Sequence, residues 1–269
     1  MKKSLRELNI CIKGAGEMAS GIACRLYAAN IRRIVMLEIP EPMAIRQKVS
    51  FCQAVNQGEQ TIENITAVRT QNRHDILAAW NDHKISIRVD PLWNTIDEIS
   101  FDVVIDAILA KKNLGTHKKE APLVIGMGPG FEANVDSHVV IETHRGHSLG
   151  KAIYSGTADK DTGIPSDING YSDERVIKSP VEGVFQTEKS IGDLVKTGES
   201  IGTVGSENIM AKIDGVIRGL LTAGITVSKD TKMADIDPRG NISYCDTISD
   251  KARALGGAVL EVIMSKYNC

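Results

Sequence analysis

The chain has 269 residues, 42% of them apolar and 25% charged, with a formal net charge of -2. At ~100 to 200 residues per domain this is one large domain or two modest ones, and the apolar content excludes disorder of the whole. Near-neutral charge and only 4% aromatic residues leave neither the basic field nor the stacking platforms of a nucleic-acid binder.

No run approaches ~18 uninterrupted apolar residues, and the polar positions among residues 1–14 interrupt any signal-peptide stretch. The expectation is a cytoplasmic protein with no membrane partner. Residues 8–13 read as a strand, 18–29 as a helix and 33–37 as a strand again, which is one βαβ unit. Further on, 65–68 reads as a strand, 72–81 as a helix with Asn72 as its cap, and 85–89 as a strand. The apolar runs 101–108 and 123–125 complete the pattern as buried strands. The expected fold class is α/β, with a Rossmann-like parallel sheet over residues 1–172.

From Asp173 the helical periodicity stops and short β-branched runs alternate with glycines. Glu182-Gly183-Val184 recurs thirty-two residues on as Asp214-Gly215-Val216, and residues 191–195 recur at the same offset as 223–227. Ile201 and Val204 then match Met233 and Ile236. Two copies of one strand-turn-strand unit, neither able to bury its apolar face alone, would close a small all-β barrel over residues 173–240. Residues 241–269 hold a C-terminal helix with Ser249 as its cap.

Cys11, Cys24, Cys52, Cys245 and Cys269 are odd in number and contain no CxxC pair, so neither a disulfide framework nor a zinc site is expected. Cys11 and Cys24 read as small core residues. Cys52, near Lys48, is the thiol with a case for reactivity.

The clearest chemistry lies at Gly14-Ala15-Gly16-Glu17-Met18-Ala19, which matches G-x-G-x-x-G/A between a strand and a helix. Gly14 permits the tight turn, Gly16 lets a pyrophosphate approach the backbone, and Ala19 keeps the helix close to the sheet. Glu38, twenty-two residues beyond Gly16, stands where a carboxylate accepts from ribose hydroxyls, which favours NAD-like over 2'-phosphorylated ligands. The alternative is a turn whose glycines serve packing alone.

Asp106 in a buried strand needs a hydrogen-bonding partner or a ligand. Lys111, Lys112 and Asn113 beyond it form either a solvated loop or a phosphate clamp. Gly126, Gly128 and Gly130 follow a strand at the edge where open α/β sheets bind ligands. Residues 136–147 gather Asp136, His138, Glu142, His144, Arg145 and His147. Alternation along 139–141 would aim His138 and Glu142 together, as an acid-base pair needs. Arg145 would offer a fork to a phosphate, with His147 beside it. A surface loop is the other reading, and no metal-ligand spacing is present.

Taken as ordered strings, residues 13–21 (KGAGEMASG), 106–115 (DAILAKKNLG), 125–131 (IGMGPGF), 141–150 (IETHRGHSLG), 235–239 (DIDPR) and 249–253 (SDKAR) resemble the YqeB family. That family is described as proteins of selenium-dependent molybdenum hydroxylase systems, akin to xanthine dehydrogenase accessory proteins. The resemblance implies an accessory role in maturing a molybdenum hydroxylase client, with NAD(P) or molybdopterin dinucleotide as the cofactor. The repeat resembles a biotinyl/lipoyl barrel-sandwich hybrid module. Its hairpin near residues 205–208 lacks the carrier lysine, and the nearest, Lys212, aligns with Pro180 on a strand, so neither biotin nor lipoate is expected. The rival readings are an NAD-dependent oxidoreductase, with His138 as its proton-transfer residue, and a non-catalytic nucleotide-sensing docking protein.

Overall fold

The computed structural model describes residues 3–268 and divides them into two units. Cys269 lies outside the described residues. The first unit comprises residues up to Pro42, Val49–Asp161 and the C-terminal segment from Ile248; the second comprises Met43–Lys48 and Thr162–Thr247.

In the first unit β1 (Asn9–Lys13), α1 (Glu17–Ala28) and β2 (Arg33–Glu38) form the expected βαβ unit. After α2 (Ala54–Gln57) come β3 (Glu59–Ile62), β4 (Ile65–Thr70), α3 (Arg73–Asn81), β5 (Ile85–Val89) and α4 (Thr95–Glu98). Then follow β6 (Val103–Asp106), β7 (Leu123–Met127), β8 (Glu132–Ala133), β9 (Val139–Ile141), β10 (Ala152–Ile153) and β11 (Gly156–Thr157). Nine strands make one sheet in the order β10-β9-β7-β6-β1-β2-β5-β4-β3. The pairs from β9 to β4 are parallel, while β10 and β3 pair antiparallel at the two edges. The sheet is therefore mixed rather than parallel throughout. Its β3–β4 hairpin turns through Glu63 and Asn64, both at positive φ, as a two-residue loop between twisted strands requires.

Alternation along the strands sends Cys11, Val35, Leu37, Val104 and Val124 to one face, where they pack with Ile76 and Trp80 of α3. α1 packs against β1 and against α5 (Asp250–Tyr267). The helices touch where Gly21 meets Ala252 and where Gly256 meets Arg25. Chain order runs the same way along both, so they lie parallel.

A Cβ built on Gly21 would stand 2.6 Å from that of Ala252. Helix propensity alone makes Gly21→Ala stabilising by about 1 kcal/mol, but overpacking costs roughly 1 to 3 kcal/mol and should win. Urea denaturation is expected to show Gly21→Ala destabilised and Gly21→Ala with Ala252→Gly restored. A more stable single variant would mean that α5 yields freely.

The second unit holds β12 (Val176–Lys178), β13 (Gly183–Gln186), β14 (Leu194–Val195), β15 (Ser200–Val204), β16 (Glu207–Met210), β17 (Gly215–Leu220), β18 (Thr226–Val227) and β19 (Lys232–Asp237). They form two four-stranded antiparallel sheets, β12-β19-β17-β14 and β16-β15-β13-β18. The repeat maps β12, β13, β14 and β15 onto β16, β17, β18 and β19, so the same order appears in both sheets with the copies exchanged. Each sheet draws two strands from each copy, so neither copy completes a sheet by itself. Phe185, Ile201, Val204, Ile217, Met233 and Ile236 fill the space between. Lys212 lies in the bend after β16, and Pro180 in the equivalent bend after β12. They match each other as the repeat requires, but neither is on a strand.

Candidate functional site

The carboxyl ends of β1, β2, β6, β7 and β9 form one edge of the nine-stranded sheet, and the glycine turn opens there. Gly14 sits at φ +89° with the backbone of Ala107 and Ile108 3.2 to 3.3 Å from where a Cβ would be, so only glycine fits without strain. Its N–H donates to the Leu37 carbonyl at 2.8 Å. Glu38 ends β2 and accepts from the Ala15 N–H at 2.9 Å through Oε2 and from the Ile39 N–H at 2.9 Å through Oε1. Burial pushes its carboxyl above the usual range, against the pull of those two bonds.

Gly16 caps α1 with extended backbone and no side-chain cap, and a Cβ there would meet nothing within 4 Å. The first N–H groups of α1 have no intrahelical acceptors, and they carry the partial positive charge of the helix start. The turn is held from behind: Ser20 Oγ donates to the Ala15 carbonyl at 3.1 Å and accepts the Phe51 N–H at 2.8 Å. The Cys52 N–H donates to the Ala15 carbonyl at 2.9 Å.

A buried charged group stands immediately before the turn in the chain. Lys13 is the last residue of β1 and is fully buried. Its ammonium donates to Thr116 Oγ1 at 2.6 Å and to Glu120 Oε1 at 2.9 Å, and lies 3.5 Å from the centre of the Trp93 ring. The Thr116 hydroxyl in turn donates to Asp106 Oδ2 at 2.7 Å, and the Ile108 N–H donates to Oδ1 at 3.2 Å. Burial raises the Asp106 carboxyl despite Thr116, Ile108 and Lys13. Asp106 thus has its partner in the protein. A lysine ending an apolar strand immediately before a glycine turn was the available signal.

Asn113 holds the loop that delivers Thr116: its Oδ1 accepts from the N–H groups of Gly115 and Thr116, both at 2.8 Å, and its Nδ2 donates to the Thr116 carbonyl at 2.8 Å. Lys111 pairs with Asp161 at 2.6 Å, and Lys112 is exposed. In place of a clamp closing on one point, these three residues each have a separate setting. The second glycine cluster faces the protein's own chain. A Cβ on Gly126 would strike the Phe131 ring at 2.5 Å, one on Gly128 the Thr143 hydroxyl at 2.4 Å, and one on Gly130 the Lys112 backbone at 2.6 Å.

His138 and Glu142 are not brought together. The strand between them spans only three residues, and they flank its opposite ends. His138 accepts the Val124 N–H at 3.0 Å on Nδ1, at the amino edge of the sheet, and burial with Lys266 and Lys118 nearby lowers its pKa. Buried Glu142 accepts from the N–H groups of His144 at 2.6 Å and Asp159 at 2.7 Å, and lines a polar cleft of about 350 Å³ with Lys151, Tyr154 and Thr157. The Arg145 fork is filled by Asp250, and His147 is exposed. A phosphate would have to displace that carboxylate.

Cys52 is 1% exposed, and burial pushes its thiol up to about 12, the opposite of what a reactive cysteine needs. Ala19 is fully buried at the base of α1. In the second unit Asp235 is gripped by Arg175 and by Arg218 at 2.6 and 3.0 Å, and Asp237 by Arg239 at 2.6 and 2.9 Å. The string at 235–239 thus sets two buried aspartates in an ion network with arginines. Among the described residues no three His, Cys, Asp or Glu side chains converge as metal ligands would.

No family model matches the chain. It is 46% identical over 255 residues, 95% of its length, to "Uncharacterized protein YqeB" of Escherichia coli (strain K12). The chain spans about half, 47%, of that relative. Among solved structures, "TcdA (CsdL)" is 12% identical over 98% of this chain and 90% of its own, with a TM-score of 0.34. A succinylglutamate desuccinylase/aspartoacylase from Rhodobacter sphaeroides is 19% identical over 30% of this chain and 28% of its own, with a TM-score of 0.21. Likeness at those scores bears on neither fold nor function.

Proposed function

From an identity that supports the YqeB family name for this chain, we propose that the first unit is a Rossmann-like domain that binds a nucleotide-containing cofactor at residues 14–16. The protein would serve as an accessory in maturing a molybdenum hydroxylase. The observation that carries the reading is the start of α1: an uncapped helix N-terminus, open space at Gly16, and Glu38 on the adjoining strand end. The residues fit a dinucleotide. Pyrophosphate oxygens would take the N–H groups at the start of α1. Glu38 already accepts one N–H on each oxygen, and each oxygen keeps a second lone pair for a ribose hydroxyl.

An accessory role accounts for the chain better than hydride transfer does. His138, which a dehydrogenase of this sequence would need as its proton-transfer residue, stands at the amino edge of the sheet and is bonded to Val124. The second unit would be a barrel-sandwich hybrid acting as a docking or shaping element. Its hairpin turns at Gly205-Ser206 and offers no carrier lysine. Mass spectrometry of small molecules released from the purified protein tests the reading. NAD or molybdopterin dinucleotide is expected in near-equimolar amount, and protein that neither carries nor takes up any pyrophosphate-linked nucleotide would refute it.

A further inference from the structure

A second concave site lies at the opposite, amino edge of the sheet, in a cleft of about 590 Å³. Three arginines, Arg6, Arg32 and Arg33, and His83 line it, with no aspartate or glutamate among the lining residues. In a chain whose net charge is -2, that is a local concentration of unbalanced positive charge, which focuses the field inside a concavity.

The arginines are not all loose surface chains. The Arg32 guanidinium stacks 5.0 Å from the centre of the Tyr27 ring and donates to Asn30 Oδ1 at 3.0 Å. Tyr27 is itself fixed by its hydroxyl bond to the His83 carbonyl. Among the described residues Arg6 and Arg33 form neither an ion pair nor a side-chain hydrogen bond, so their donors face the cleft uncommitted. Glu7, the carboxylate that feels Arg33, accepts the Ser4 N–H at 2.8 Å as the cap of the first turn. Asn9 also lines the cleft, its Nδ2 donating to the Ser100 carbonyl at 3.1 Å. Trp80, whose Nε1–H donates to the Ile34 carbonyl at 3.0 Å, and Leu77 supply the apolar wall.

We propose that this cleft binds a small phosphate ester, with the phosphate between Arg33 and Arg6 and a flat or apolar group against Trp80 and Leu77. Guanidinium forks match phosphate oxygens two at a time, and a cleft of this size suits a ligand of that class. The site is independent of the glycine turn, which lies at the other end of β1.

Titration calorimetry on the full chain with phenyl phosphate tests it. One molecule is expected to bind the parent, with inorganic phosphate binding more weakly for want of the ring. The exposed Arg6→Ala and Arg33→Ala changes together should weaken phenyl phosphate roughly tenfold or more, and Trp80→Phe should weaken it less. Gly16→Val should leave it unchanged. An unresponsive parent, equal affinity in the double arginine variant, or loss of binding in Gly16→Val would each overturn the proposal, the last by moving the anion to the turn.

Discussion

Replacing Gly16 by valine is expected to abolish nucleoside diphosphate binding and leave the fold in place. The residue has extended backbone that valine can adopt, and its Cβ would enter open space rather than the protein. Loss of a good N-cap residue costs of order 1 kcal/mol, a shift of about 2 to 4 °C in melting temperature for a protein of this size. The isopropyl group would fill the volume through which a pyrophosphate must reach the N–H groups of Glu17 and Met18. Losing two charge-assisted hydrogen bonds at roughly 1.5 to 3 kcal/mol each lowers affinity about a hundredfold or more. Calorimetry with ADP reads the loss and a thermal melt reads the fold. Equal affinity in variant and parent would return the turn to a packing role.

Lys13→Met is expected to have the largest effect on stability. It keeps the volume of the side chain but removes the cation from between Glu120, Thr116 and the Trp93 ring. Breaking one side of a buried pair costs about 3 to 5 kcal/mol because the remaining charge has no compensation. The pH dependence identifies the cause. The Asp106 carboxyl titrates above its ordinary value of 3.8 in the fold, so between the two values the folded state holds the proton that the unfolded chain has lost. Stability therefore falls as pH rises through that window. Removing Lys13 widens the window upward, so the deficit of the variant should be small in acid and grow toward neutral pH. Urea denaturation at several pH values checks this. A deficit that is flat with pH would mean that lost packing, rather than lost charge, is responsible.

The parts of the fold legible in the sequence were those written in local chemistry. The turn after β1 announced itself through two glycines in a strand-to-helix context. Asn72 accepts the Asp75 N–H and Ser249 the Ala252 N–H as capping residues do. The thirty-two-residue repeat was legible as two copies of one strand-turn-strand unit, but not the exchange of strands that builds each sheet from both copies. What escaped notice depended on contacts distant in sequence. The β3–β4 hairpin turns at Glu63-Asn64, and glutamate is not a residue that signals positive φ. Nothing in the sequence of residues 43–48 shows that the Ile45 carbonyl will accept the Leu220 N–H. His138 and Glu142 are not paired because alternation holds only within a strand, and β9 begins after the first and ends before the second. Nothing local in the sequence shows that Gly126, Gly128 and Gly130 make room for Phe131, Thr143 and the Lys112 backbone.

The most direct measurement of the central claim follows the backbone amides of α1 by nuclear magnetic resonance as ADP is added to the full chain. If the turn holds a nucleotide, the resonances of Glu17, Met18 and Ala19 shift first and furthest and saturate together, and Gly16→Val abolishes the shifts. Shifts confined to residues away from the first turn of α1, or none at saturating ADP, would contradict it.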